Sequence, residues 1–198
     1  MSSSIKRKNG KIMIKIGMLG DAGVGKTSLM VKYVHKQFSD DYRITLGVNF
    51  LEKKIHIKKQ EITFIIWDLG GKAEFIDMLP LVCNEANILL FMFDLSRKST
   101  LSGIKQWYMQ AKNQNKRATP FVIGTKYDLF ADMDSEYQAQ VTKQARRYAK
   151  VMKAPLIFCS SAASINIQKI FKIALIKIFG LQASVSKIAK VGDPIIEY

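Results

Sequence analysis

The sequence predicts an α/β fold: a mainly parallel six-stranded sheet with one antiparallel edge strand and helices on both faces. Three observations carry this. Short apolar runs alternate with helix-length segments along the chain, which implies βαβ crossovers. A complete G-x-x-x-x-G-K-[ST] pattern, Gly20-Asp21-Ala22-Gly23-Val24-Gly25-Lys26-Thr27, lies between an apolar run and a helical one, the context that a phosphate loop requires. The 198 residues are 48% hydrophobic and 10% aromatic, enough to fill the core of one domain of about 170 residues.

The first core strand is expected at 12–19, where apolar residues alternate. The segment 25–36 then reads as a helix. Strands at 48–57 and 62–67 flank Lys58-Lys59-Gln60-Glu61, a polar turn that makes them the one hairpin and the first of them the antiparallel edge. The runs 88–93, 121–124 and 156–159 supply the remaining strands, with helices between them near 72–85, 98–115 and 134–153 and a last helix near 164–179. Gly180 suits the left-handed residue that ends such a helix. Residues 1–10 are expected to be a disordered basic arm, 11–180 the domain, and 181–198 a tail, in which Asp193-Pro194 favours a turn and Ile195-Ile196 present apolar surface to the domain or to a partner.

The phosphate loop has direct chemistry. Successive backbone N–H groups from Asp21 to Ser28 can wrap phosphates at a positive helix N-terminus. Gly23 and Gly25 allow the close approach that a Cβ would obstruct. Lys26 can neutralise β/γ-phosphates and Thr27 can offer a hydroxyl to Mg²⁺. Thr125-Lys126-Tyr127-Asp128 follows an apolar run, at the strand end where open α/β sheets place ligand contacts. A carboxylate only accepts, so Asp128 suits the N1–H and exocyclic NH₂ of guanine, a pair that adenine lacks; the Lys126 stem can lie over the ring. Ser160-Ser161-Ala162-Ala163 on a later strand end completes the base-contacting set with Ser161, Ala162 and Ala163. GTP or GDP is therefore favoured over ATP. Asp68, in Asp68-Leu69-Gly70-Gly71, would hold Mg²⁺ through water, and the Gly71 N–H would meet the γ-phosphate. Thr45 stands where it can close on Mg²⁺, while Phe38 and Tyr42 are placed to pack near the base. Each of the last three, taken singly, is an ordinary solvent-facing or packing residue; only register with the loop raises them.

With these residues in order, the chain resembles the Ras superfamily of small GTPases over about residues 11–180. Thr45-Leu46-Gly47-Val48-Asn49-Phe50 with Trp67 leans to the Rab-like branch. The segments 67–71, 91–101 and 142–150 and the ending Val191-Gly192-Asp193-Pro194-Ile195-Ile196-Glu197-Tyr198 are similar to the septum-promoting GTPases of fungi. The resemblance implies a P-loop NTPase G domain, GTP hydrolysis with Lys26, Thr45, Gly71 and the position of Lys72 as the catalytic set, and a monomer. It also implies control of a kinase cascade for septation and mitotic exit, an effector kinase or scaffold bound through the switch segments, and a two-component TBC-type activating protein. Location would be cytoplasmic with recruitment to the spindle pole. A Rab-like trafficking role is the alternative assignment. Lys72 departs from the family pattern, which has Gln there to orient the attacking water. A protonated Lys has three donors and no acceptor. It is read either as the cause of slow hydrolysis, even to the point of a GTP-bound binding module, or as a solvated residue of modest effect.

Absences and charge complete the reading. Cys83 and Cys159 lie far apart in apolar surroundings, which suggests buried thiols. The longest strictly apolar run, 88–93, is too short to span a bilayer. Residue 2 is Ser and the end Ile195-Ile196-Glu197-Tyr198 has no Cys, so neither myristoylation nor prenylation is expected. The formal net charge of +15 is uneven, because 137–192 holds basic residues and no acid. Lys143, Arg146, Arg147, Lys150 and Lys153 recur at helical spacing on one face, with Val141, Ala145, Ala149 and Met152 largely opposite. Lys169, Lys172 and Lys177 repeat the arrangement on the last helix. Such a surface suits an anionic membrane or an acidic scaffold, or merely solvates exposed helices. No aromatic residues interleave with the basic faces as a nucleic-acid platform requires, so no specific nucleic-acid partner is expected.

Overall fold

In the computed structural model the described residues are 6–8, 11–41, 43–57, 60–182 and 185–198. Among them eight strands form one sheet: β1 (Lys6–Lys8), β2 (Lys11–Leu19), β3 (Val48–Ile57), β4 (Gln60–Leu69), β5 (Ile88–Asp94), β6 (Thr119–Thr125), β7 (Leu156–Phe158) and β8 (Ile196–Glu197). The helices are α1 (Lys26–His35), α2 (Leu79–Cys83), α3 (Lys98–Gln114), α4 (Tyr127–Ala131), α5 (Ser135–Met152) and α6 (Ile167–Phe179), with a 3₁₀ segment Ala73–Met78 leading into α2. The sheet runs β3-β4-β2-β5-β6-β7-β8. The pairs β4–β2, β2–β5, β5–β6 and β6–β7 are parallel, and the β3–β4 hairpin is the antiparallel edge that the polar turn predicts.

The strands alternate between two cores. Ile14, Ile16 and Met18 of β2, Phe64 and Ile66 of β4, Leu90 and Met92 of β5 and Ile123 of β6 face α1 and α6, where Tyr33 stacks on Phe171 with ring centroids 3.5 Å apart. Leu89, Phe91 and Phe93, Val122 and Phe158 face the other way, toward α2, α3 and α5. β5 is buried at all seven positions, as a strand covered on both sides must be. On α5, Val141, Ala145, Ala149 and Met152 are buried as their spacing predicts. Cys83 and Cys159 are buried free thiols. No helix among the described residues is long and apolar enough to cross a membrane.

Two expectations change. Within the arm 1–10, expected to be disordered, Lys6–Lys8 form β1 and pair antiparallel with β2 at Lys11–Met13. β5 flanks β2 only from Ile16 onward, so the first residues of β2 have a vacant hydrogen-bonding side that β1 takes. The tail, left open between domain and partner, folds onto the domain. β8 pairs antiparallel with β7, Ile157 opposite Ile196. Ile195 and Ile196 are both fully buried, each in a different core, because adjacent strand residues point to opposite faces. Glu197 accepts from Arg146 Nε at 3.0 Å and Nη2 at 2.6 Å. Arg146 thus leaves the solvated basic face and clamps the tail.

Burial is the larger contribution at this edge. Ile196→Ala is expected to cost about 2–5 kcal/mol of unfolding free energy in urea titration. Glu197→Gln, which touches only a half-exposed pair, should cost less than about 1 kcal/mol.

Candidate functional site

The strand order reverses at β2. The chain leaves β2 through α1 toward β3 and β4 on one side, and places β5, β6 and β7 on the other. Loops after the C-terminal ends of β2, β4, β5, β6 and β7 therefore converge over one crevice, where open α/β sheets bind ligands. A cavity of about 590 Å³ lies there. Of the residues selected from sequence, it is lined by Ala22, Gly23, Gly25, Lys26, Thr27, Ser28, Phe38, Thr45, Gly71, Thr125, Lys126, Asp128, Ser161 and Ala162. Asp21, Val24, Asp68, Lys72 and Ala163 lie around it without lining it, and Tyr42 falls outside the described residues.

The phosphate loop runs from β2 into α1. Gly25 has φ +91° where the helix begins, a conformation that side chains with a Cβ resist. Lys26 is buried, and its Nζ donates to Gly20 O and Asp21 O, each at 2.8 Å. Burial pulls its pKa down to about 8, against the opposing attraction of Asp68 and Asp21. Asp21 turns its carboxylate outward to α3, accepting from Trp107 Nε1 at 2.8 Å, so it serves the loop through its backbone. Gly71 packs directly on the loop: a Cβ there would lie 2.3 Å from Ala22 N.

Three oxygen-bearing side chains meet beside Lys26. Thr27 donates its hydroxyl to Asp68 Oδ2. Its one proton being used, Thr45 is the donor in the 2.8 Å contact between the two threonine hydroxyls. Asp68 is fully buried and its Oδ1 has no hydrogen-bond partner among the described residues. Burial raises its pKa, opposed by the Thr27 hydrogen bond and the Lys26 charge. Gly70 N donates to Gly47 O at 2.8 Å, which draws the Thr45 and Gly71 segments together over the cavity mouth. Lys72, at the start of the 3₁₀ segment, lies 3.6 Å from Glu74 Oε1.

At the opposite end Asp128 accepts from Ser160 Oγ, and Ala163 N donates to the same oxygen at 2.9 Å. Ala163 therefore closes the loop beneath the cavity instead of lining it. The Thr125 hydroxyl is 2.6 Å from Val24 O and 2.9 Å from Phe93 O. It ties the phosphate loop to the base end and is committed to those two carbonyls. Ser160, Asp94 and Arg97 were not selected from sequence. Buried Asp94 accepts from Lys126 Nζ and Arg97 Nε at 2.8 Å and from Ser96 N at 2.9 Å. Its burial alone would raise its pKa, yet these donors hold it below the ordinary value. Arg97 Nη2 also reaches Ala22 O at 3.2 Å. The available signal was a single carboxylate closing the otherwise apolar 88–94 strand.

A phosphate loop with a buried Lys, set at a sheet's switch point beside a hydroxyl–carboxylate cluster and a separate acceptor pocket, defines a P-loop nucleotide-binding switch domain. The Ras family profile matches residues 15–179; the chain belongs to that family of small GTPases, which bind guanine nucleotides and hydrolyse GTP. The chain is 60% identical over 192 residues to septum-promoting GTP-binding protein 1 of Schizosaccharomyces pombe, covering 97% of this chain and 96% of that protein. It is 30% identical over 169 residues to the Ypt/Rab-type GTPase avaA of Emericella nidulans and 28% identical to the Ypt/Rab-type GTPase Rab7 of Neurospora crassa, with 82% of this chain and 80% of each relative covered.

Lys26 generates a pH dependence with a definite sign. A polyphosphate favours the ammonium form, so the bound protein keeps a proton that the free protein releases near pH 8. Affinity for GDP should then fall about sevenfold between pH 7 and 8.8, with proton uptake on binding seen as buffer-dependent heat in titration calorimetry. A flat affinity over that range would contradict the depressed pKa.

Proposed function

We propose that the protein is a GTP-dependent switch acting in septation, where its GTP form turns on a kinase cascade for cytokinesis and mitotic exit. The observation that carries this reading is the 60% identity to a septum-promoting GTP-binding protein across 97% of the chain. The more distant Ypt/Rab-type relatives favour trafficking as the second reading. Affinity capture with GTP-loaded protein separates the two: a kinase scaffold supports septation and a vesicle tether supports trafficking.

The chemistry follows from the pocket. Phosphates lie along the 21–28 backbone with Lys26 giving its charge to the β- and γ-oxygens, and the Gly71 N–H faces the γ-phosphate. Asp128 accepts from the guanine edge, with Lys126 and Phe38 against the ring. Mg²⁺ fits the oxygen cluster, since hard cations take hydroxyl and carboxylate oxygens and the orphaned Oδ1 of Asp68 needs a partner. Thr27 and Thr45 would hold it directly and Asp68 through water; when bound, it neutralises phosphate charge. Thr45 and Gly71 sit on the segments that a γ-phosphate orders, so hydrolysis releases them. Exposed Leu46, Phe50, Met78 and Leu81 supply the apolar surface for an effector kinase or scaffold. Lys143, Arg147 and Lys150 on α5, Lys153 at its C-terminal cap, and Lys169, Lys172 and Lys177 on α6 are exposed and offer a face to an anionic membrane or acidic scaffold, consistent with recruitment to a spindle pole.

Lys72 cannot orient water as an acceptor while protonated, and its nearest acidic partner, Glu74, draws it along the 3₁₀ segment. Intrinsic hydrolysis is therefore slow, and a TBC-type activator supplies the missing acceptor. In single-turnover assays Lys72→Gln should hydrolyse GTP about tenfold faster or more, and an activator should raise the wild-type rate toward it. A wild type as fast as the variant would remove Lys72 from the account. A wild type inert even with the activator would favour a GTP-bound binding module.

A further inference from the structure

The two loops that hold the base end of the cavity are both fastened from behind by one short stretch of the tail. Tyr127, between Lys126 and Asp128, donates its hydroxyl to Gly192 O at 2.6 Å. Asn166, at the far end of the Ser161–Ala163 loop, donates through Nδ2 to Pro194 O at 3.1 Å and to Phe158 O at 2.8 Å. Phe158 N donates to Ile195 O at 2.9 Å, just before Ser160. Ser160 in turn holds Asp128. The bonds from Tyr127, from Asn166 to Pro194 O and from Phe158 N all end on residues 192–195, and that stretch is anchored by buried Ile195 and Ile196 and by β8. Gly192 adopts φ +92°, the turn that brings its carbonyl under Tyr127. No link touches the phosphate loop directly.

We propose that residues 192–197 form a strap that positions the base-reading loops, and that Tyr127 and Asn166 are the positioning residues through which it sets guanine selectivity and nucleotide retention. The proposal rests on the assignment of the guanine edge to Asp128. With the strap seated, the Asp128 carboxylate is held to meet N1–H and the exocyclic amine together. With a link cut, the loops shift relative to each other, and the two-point contact suffers more than the phosphate contacts do.

The discriminating comparison is GDP against IDP, because inosine lacks the exocyclic amine and keeps N1–H. Tyr127→Phe keeps the ring and removes the hydroxyl. Asn166→Gly removes the amide at a position whose φ of 58° glycine adopts without strain. Dissociation of fluorescent GDP and IDP analogues is followed by stopped flow for the wild type, both single variants and the double variant. Each single variant should release GDP about fivefold to tenfold faster and IDP by no more than about half that factor, so that selectivity narrows. Release rates equal to wild type, or an equal acceleration for both nucleotides, would overturn the strap; the second result is what general loosening of the fold produces. A wild type that does not prefer GDP over IDP would overturn the base assignment first and the strap with it, so the two failures are distinguishable.

Discussion

The site depends on the parallel seam between β2 and β5. Because the chain turns one way after β2 and the other way after β5, the loops behind both strands leave a crevice at their shared C-terminal edge. The register Gly17–Leu89, Met18–Leu90 and Leu19–Phe91 ends β2 beside Phe91 while β5 runs on to Asp94, so the phosphate loop opens against the end of β5. Thr125 then bridges Val24 O and Phe93 O, so the phosphate loop, β5 and β6 keep a fixed spacing. A nucleotide long enough to reach from Lys26 to Asp128 needs that spacing held before it arrives.

The same region concentrates the buried charge. Lys26, Asp68 and Asp94 are each almost inaccessible, and burial acts against the charged form of each. Asp94 overcomes it with donors from Ser96, Arg97 and Lys126, and its pKa ends below the ordinary value. Lys26 and Asp68 do not fully overcome it, and both shift toward neutrality. This contrast separates a structural carboxylate from groups left incompletely paired, which is how sites that await a charged ligand are built.

Much of this was legible in the sequence because it rests on local pattern. The order of strands and helices followed from apolar periodicity, and the cavity gathered the phosphate loop, Thr45, Gly71, Lys126, Asp128 and Ser161 as their motifs require. The remainder depends on pairs distant in the chain. Trp107 and Asp21 are 86 residues apart, and Tyr127 and Gly192 are 65 apart; no spacing rule links them. Ser160 was visible as part of a serine pair, yet which serine faces Asp128 follows from strand direction at the end of β7. Thr125, expected at the base, is occupied by two carbonyls for the same reason. Likewise β1 exists because β5 begins late, which no property of Lys6-Arg7-Lys8 announces.

The location of β8 also has a consequence for how the molecule is made. Its partner β7 is synthesised some forty residues earlier, and every loop of the crevice precedes β8, yet the base end is not fastened until residues 192–197 have left the ribosome. A nascent chain can therefore form the phosphate loop and the paired strands β2, β4 and β5 while its guanine end is still loose. If the strap sets nucleotide retention, firm capture waits for β8 to be made and paired with β7.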